Sequence, residues 1–248
     1  MTQPRKFQRL IDVCCELPPM VTAVVHPCDA AAIEAAIEAA RLGLIRPILV
    51  GPEARIRAAA RKASLELDSW PLIDVPHSHA AAEKAVELVL HGHAEALMKG
   101  SLHTDELMGA VVRHDSGLRT ARRISHCFVM DVPAYEHTLI ISDAAINIAP
   151  TLEDKVDIVQ NAIDLAHALR FPEVRVAILS ATETVTPKVP STVEAAALCK
   201  MADRKQITGA TLDGPLALDN AISLSAAEIK RIDSPVAGRA NVLIVPDL

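Results

Sequence analysis

The chain has 248 residues, half of them hydrophobic, enough to bury a core in one large α/β unit or two smaller domains. Aromatic residues make up only 2%, and 25 basic residues against 31 acidic ones give a net charge of −6. That balance argues against base-stacking modules and non-specific nucleic-acid binding. No uninterrupted apolar run approaches the ~18 residues of a membrane span, and the first ten residues, MTQPRKFQRL, lack a signal peptide's apolar stretch. The five cysteines, Cys14, Cys15, Cys28, Cys127 and Cys199, are odd in number, form no CxxC pair and stand beside apolar residues. Buried free thiols in a soluble, cytoplasmic protein are therefore expected, with no membrane and no nucleic-acid partner.

In chain order, Met20–Val25 reads as a strand. Asp29 is placed to cap a helix with Ile33, Ile37 and Ala40 on one face, and Gly43 suits its exit. A strand over Pro47–Val50 precedes a helix over roughly 53–63. A short strand at 71–75 precedes a helix over roughly 79–91. Ala94–Lys99 is the next strand and Thr104–Val112 the next helix. After a basic loop come two strand-like runs, Cys127–Val132 and Leu139–Ser142.

Thr151-Leu-Glu-Asp154 loosely matches a capping box, and Leu152, Val156, Val159, Ile163 and Ala166 fall on one helical stripe behind it. Val174–Leu179 is a strand. Ser191-Thr-Val-Glu194 and Ser225-Ala-Ala-Glu228 read as two more capping boxes, and Val242–Val245 as the last strand. Such alternation predicts mostly parallel sheets with flanking helices. The hairpin-like pair at 127–142 breaks the rhythm, so two domains are expected, 1–132 and 133–248.

Candidate chemistry lies where these strands end. Lys99-Gly100-Ser101 leads into the helix at Thr104; its N–H groups can hold an anion, or the segment is an ordinary helix start. Arg119, Arg122 and Arg123 form the densest basic cluster, beside Ser125 and His126, and arginine forks match phosphate oxygens; a solvated basic loop is the other reading. Ser142, Asp143 and Asn147 follow an aliphatic strand and can orient a substrate or satisfy buried backbone groups. Asp213-Gly214-Pro215 is a turn by composition, with Asp213 free to face a substrate. The paired histidines His77/His79 and His91/His93 lack a ligand pattern, and HExxH, GxSxG and GxGxxG are all absent, so no metal is assigned.

The blocks ALMKGSLHT (96–104), RRISHCFVM (122–130), ISDAAINIAP (141–150), SATETVTPK (180–188) and LDGPLA (212–217) closely resemble the phosphate acetyltransferase/phosphate butyryltransferase family. The resemblance runs from about residue 17 to Leu248. It implies a two-domain α/β fold similar to isocitrate and isopropylmalate dehydrogenases, with the active site in the interdomain cleft. It implies acyl exchange between coenzyme A and phosphate, with CoA as substrate, no metal or redox cofactor, and a homodimer or other homo-oligomer in the complete protein. Lys99, Gly100, Thr104, Arg123, Ser125, Ser142, Asp143, Asn147 and Asp213 are the substrate-binding candidates it leaves.

Family members continue beyond the point matching Leu248, with a Ser-Arg pair and an acidic residue used in catalysis, so no catalytic residue is assigned in this sequence and its C-terminal part is expected to be missing. Low turnover, and self-association through an uncovered strand at 242–245, are expected of the chain as written. Other readings are a CoA-binding or dimerising remnant without turnover, an acyl-carrier-protein phosphate acyltransferase, or a hydroxyacid dehydrogenase; the last needs clustered aspartates for a divalent metal, and none are visible.

Overall fold

The computed structural model describes residues 5–67 and 70–248. Among these the elements run α1 (Arg5–Cys15), β1 (Met20–Val25), α2 (Ala30–Arg41), β2 (Ile45–Gly51), α3 (Glu53–Lys62), β3 (Leu72–Asp74), α4 (Ser78–Leu90), β4 (Ala96–Lys99) and α5 (Thr104–Val112). They continue with β5 (Phe128–Met130), β6 (Leu139–Ser142), α6 (Leu152–Ala168), β7 (Arg175–Leu179), α7 (Pro190–Asp203), β8 (Thr211–Leu216), α8 (Leu218–Ile222), α9 (Leu224–Ile229) and β9 (Val242–Ile244). The chain forms two compact units, Ile11–Ala121 and Arg122–Leu248, the latter joined by the residues up to Leu10. The sequence-based boundary at 132/133 falls inside a hairpin whose two strands, β5 and β6, pair with each other in one sheet.

In the Ile11–Ala121 unit four parallel strands lie in the order β3-β2-β1-β4. Period-two alternation sends the side chains of β1 to opposite faces. Ala23 and Val25 meet Ala81, Ala82 and Ala85 of α4, whereas Val24 meets Ala36 of α2 and Ile56 of α3. Three alanines without exposure on α4 let that helix lie close to the sheet. Asp29 caps α2, its Oδ1 accepting from Ala32 N at 2.8 Å, and Gly43 leaves the helix at φ +72°.

In the Arg122–Leu248 unit the order is β5-β6-β9-β7-β8, and only the β5/β6 pair is antiparallel. Ile140, Val176, Ile178, Val242 and Ile244 pack with Ile158, Val159, Ala162 and Ile163 of α6 and Leu198 of α7. The alternate residues Leu139, Ala177 and Leu243 pack on Ala221, Ala227, Val236 and Ala237.

Several sequence expectations are corrected. β9, expected to be uncovered, pairs with β6 on one side and β7 on the other, and its three residues are all buried. The unpaired edge that was one ground for expecting self-association is therefore absent at β9. Asp213-Gly214-Pro215 is part of strand β8 rather than a turn. β8 is an edge strand, where proline is tolerated, and a register shift fits one extra residue between the pairs Ala177↔Asp213 and Leu179↔Leu216.

Helix α7 begins at Pro190, not at a Ser191 cap, because the Thr192 hydroxyl folds back onto the carbonyls of Thr186 and Val189. Ser223, not Ser225, caps α9 by accepting from Ala226 N at 3.4 Å. The Thr151/Asp154 box forms in both directions. The five thiols are free, but Cys14 and Cys15 are exposed on α1 and the other three are half-buried.

Candidate functional site

Open parallel sheets place ligands beyond the carboxyl ends of their strands. At the end of β6, Ser142 donates from Oγ to the His126 carbonyl at 2.9 Å. Asp143, 2% exposed, spends both oxygens locally. Its Oδ1 accepts from Ala145 N and Ile146 N, each at 3.0 Å, and its Oδ2 accepts from Asn147 N at 3.2 Å and Asn147 Nδ2 at 2.5 Å. Burial pushes the carboxyl up, but the N–H donors of Ala145, Ile146 and Asn147 outweigh it and hold the group below its ordinary value. It is an anion that organises the 143–147 turn.

Asn147 carries that order outward. Its Nδ2 also donates to Ile124 O at 3.1 Å, and its Oδ1 accepts from Arg123 Nε at 2.6 Å. Arg123 Nη1 lies 3.0 Å from Asp154 Oδ1, and its backbone N donates to Asp157 Oδ2 at 2.7 Å. Asn161 Nδ2 donates to Ser125 Oγ at 2.8 Å and to Arg123 O at 2.9 Å. Arg122 Nη1 donates to Asp164 Oδ2 at 2.5 Å. The basic loop is thus laid along one face of α6, whose residues 154, 157, 161 and 164 recur at helical spacing. Arg123 keeps a side chain 49% exposed, with Nε and Nη1 engaged among its five N–H donors.

The sequence reading missed this acidic stripe as a partner for the arginines. The signal was present, because Asp154, Asp157, Asn161 and Asp164 share one face opposite the apolar stripe. Further round the same sheet, Ser180 Oγ lies 2.7 Å from Ser191 Oγ, and Asp213 Oδ1 accepts from Gly214 N at 2.8 Å. Cys199 donates to Gly214 O at 3.7 Å; burial first, then Asp213 and Asp203, push its thiol up to about 12, so it is no nucleophile.

Lys99, Gly100 and Thr104 lie in the Ile11–Ala121 unit. Gly100 N donates to Val25 O at 2.8 Å, and a Cβ on Gly100 would sit 2.5 Å from Val25 O and 2.7 Å from His26 O. Only glycine fits. The His26 carbonyl accepts from Cys28 N (2.8 Å), Ser101 N (3.0 Å) and Ser101 Oγ (2.9 Å), tying this turn to the end of β1. Lys99 Nζ donates to the carbonyls of Gly100 (3.3 Å) and Leu102 (2.8 Å). Thr104 is exposed at the first position of α5.

The structure therefore joins Arg123, Asp143 and Asn147 in one network, sets Ser125 and Ser142 against its loop, and leaves Asp213 on a separate strand. Sequence reasoning gave no role to His26 or Arg55, whose Nε2 and Nη1 lie 3.4 Å apart. His77 is a helix cap, Nδ1 accepting from Ala80 N at 3.2 Å, and among the described residues no three His, Cys, Asp or Glu side chains group as metal ligands.

Parallel sheets with flanking helices, whose strand ends carry arginine, hydroxyl and glycine-turn features, define an α/β protein. The comparisons narrow this class. Residues 76–248 match the family model described as phosphate acetyl/butaryl transferase. A phosphate acetyltransferase of Rhizobium meliloti is 63% identical over 246 residues, covering 99% of this chain and 78% of that protein. A phosphate butyryltransferase of Clostridium beijerinckii is 39% identical over 244 residues, covering 98% and 81%. A branched-chain phosphotransacylase from Enterococcus faecalis V583 superposes with a TM-score of 0.77 at 28% identity, covering 92% of this chain and 79% of the other. The chain belongs to the phosphate acetyl/butyryl transferase family.

Proposed function

We propose that this chain exchanges a short acyl group between coenzyme A and inorganic phosphate. The observation that carries the reading is 63% identity with a phosphate acetyltransferase across 99% of the chain. In the forward direction a phosphate oxygen attacks the thioester carbonyl, the C–S bond breaks, and the proton given up by phosphate ends on the CoA thiol. Coenzyme A is a substrate, not a bound cofactor. The two compact units are read as domains of an isocitrate/isopropylmalate dehydrogenase-like fold, the working form as a cytoplasmic homo-oligomer.

In this reading Arg123, Ser125 and Thr104 contact the anionic parts of the substrates. Gly100 lets the turn before Thr104 lie against the end of β1. Asp143 and Asn147 act through Arg123, holding it by the 2.6 Å bond from Nε. Ser142 fixes the loop through the His126 carbonyl, Lys99 supplies charge at the end of β4 and Asp213 supplies it within β8. A preformed cation of this kind lowers the cost of binding phosphate, because its rotamer is already set.

The test is to mix the purified chain with acetyl-CoA or butyryl-CoA and follow thiol release against phosphate concentration. Thiol release that saturates with phosphate and yields acyl phosphate is expected. Release that ignores phosphate, or none with either thioester, would overturn the reading.

A further inference from the structure

His26, the residue that follows β1, is held in an unusual state. Its φ is +54°, in the left-handed region that disfavours side chains, and it is only 4% exposed. Glycine or asparagine would take that backbone with less strain, so the imidazole itself has a use. β1 is covered on both faces, by Ile56 of α3 against Val24 and by Leu107 of α5 in the cluster of Ala23 and Val25. Charges from both helices act on the ring: Nε2 lies 3.4 Å from Arg55 Nη1 of α3, and Glu106 of α5 contributes its carboxylate. A guanidinium only donates, so Nε2 accepts and Nδ1 carries the proton.

Nδ1–H is thus a buried donor with no hydrogen-bond partner among the described residues, and Glu106 Oε2 is a buried acceptor in the same position. Leaving either unmatched is costly, and the two are complementary. Burial, then the charge of Arg55, holds the imidazole below its ordinary value against the opposing pull of Glu106, the Ser101 backbone and Asp29. The ring is therefore uncharged at neutral pH, the state in which it accepts from Arg55 while donating from Nδ1. Both residues also hold one turn. Gly100 N donates to Val25 O at 2.8 Å, and Ser101 N and Oγ donate to His26 O at 3.0 and 2.9 Å. The turn then runs into α5 at Thr104, and Glu106 stands in the first turn of that helix.

We propose that His26 Nδ1–H and Glu106 Oε2 are linked through one ordered water molecule, and that the link makes both of them positioning residues for the Gly100–Thr104 turn. The water accepts from the ring and donates to the carboxylate, which satisfies two buried groups that make no direct bond. It fastens the start of α5 to the end of β1, so that Thr104 and the backbone of the turn are set before a ligand arrives. The positioning role rests on the reading of Thr104 as a substrate contact; the link itself does not.

The experiment uses the ¹⁵N-labelled chain at neutral pH. Imidazole spectra, assigned by the signal lost in His26→Asn, are expected to show Nδ1 protonated and Nε2 bare. Glu106→Leu should move the His26 ring signals and the amides of residues 100–104. Glu106→Gln keeps an oxygen acceptor and should leave them near their parental positions. His26→Asn suits the left-handed backbone but loses the ring, so its amides should shift as in Glu106→Leu. Titration with inorganic phosphate and with coenzyme A reads the positioning role. Saturable shifts at the same amides are expected, with affinity about threefold to tenfold weaker in Glu106→Leu and parental in Glu106→Gln. A residue that only stabilised the fold would lower Tm in Glu106→Leu and leave affinity unmoved. His26 protonated at Nε2, or ring signals indifferent to Glu106→Leu, would overturn the link. No ligand response at the turn, or parental affinity in Glu106→Leu, would overturn the positioning role. Turnover is assayed separately, so an inactive chain that still gives the expected shifts counts against acyl transfer alone.

Discussion

Arg123 and Asn147 are joined by a 2.6 Å hydrogen bond from guanidinium Nε to amide Oδ1, and the same amide turns its nitrogen to the buried Asp143 carboxylate. The relationship makes a side chain on a surface loop an extension of the end of β6. A half-exposed arginine would otherwise sample many rotamers, and that entropy would be lost again on binding. Here the loop is anchored at Asp157 and Asn161 through its backbone and by Asn147 and Asp154 through its head group.

Arg123→Ala should raise the KM for phosphate or CoA more than it lowers stability. The pair with Asp154 is exposed enough to contribute little to folding, about 0–1 kcal/mol, whereas a charge-assisted bond to a bound phosphate is worth about 1.5–3 kcal/mol. Arg123→Lys should rescue only part of the loss, because lysine cannot reproduce the Nε contact to Asn147. Steady-state kinetics at two salt concentrations check this, with the larger defect expected at low salt. Unchanged KM for both substrates would remove Arg123 from the site.

Asp143→Asn should destabilise the Arg122–Leu248 unit by about 1–3 kcal/mol at neutral pH, since an amide nitrogen would face N–H groups now satisfied by a carboxylate. The sign with pH follows from the lowered carboxyl. Its contribution is fully present above the ordinary aspartate value of about 3.9 and is lost as pH falls through the folded value below it. Parent and variant should therefore differ most in denaturant midpoint above pH 5 and converge as pH falls through the lowered folded value. Parallel curves throughout would mean that the carboxylate is not the group responsible.

Much of this architecture was legible because it is local. The stripe on α6 shows in the spacing of Val159, Ile163 and Ala166, and Asp29 and Gly43 mark α2 by their own chemistry. Strand order was not legible: nothing within Val242–Ile244 says that it lies between β6 and β7, partners about 100 and 65 residues earlier in sequence. β8 was hidden by Asp213-Gly214-Pro215, where an edge position and a bulge override turn composition. In the site, the basic loop is visible in the sequence, but nothing local marks Asp157, Asn161 and Asp164 of α6, though they share a face, as its partners. The His26–Arg55 contact spans 29 residues and has no motif, so only packing discloses it.

The cysteines should separate cleanly by reactivity. Cys14 and Cys15 are exposed, while burial pushes the thiols of Cys28, Cys127 and Cys199 up, the last to about 12. Since the thiolate is the reacting species, alkylation of the native chain at pH 8 should label Cys14 and Cys15 first and Cys199 slowest. Peptide mapping by mass spectrometry across a time course measures the order. Early labelling of Cys199 would show that its contact with the Gly214 carbonyl is not maintained in solution.

Gly100→Ala should be among the most damaging single substitutions in the chain, although it adds one methyl group. The new Cβ would meet Val25 O at 2.5 Å, His26 O at 2.7 Å and His26 C at 2.8 Å, all backbone atoms with no rotamer by which to move aside. Relief requires pulling the turn away from β1, which breaks the bonds from Gly100 N to Val25 O and from Ser101 N to His26 O. Overpacking of this kind costs about 1–3 kcal/mol, and two lost backbone hydrogen bonds add to it. By contrast Gly109, on the exposed part of α5, has nothing within 4 Å of its Cβ position, and Gly109→Ala should stabilise by about 0.5–1 kcal/mol through helix propensity. Urea denaturation of the two variants beside the parent makes the comparison. Midpoints shifted down for Gly100→Ala and up for Gly109→Ala are expected; a Gly100→Ala variant as stable as the parent would show that the turn can shift without cost.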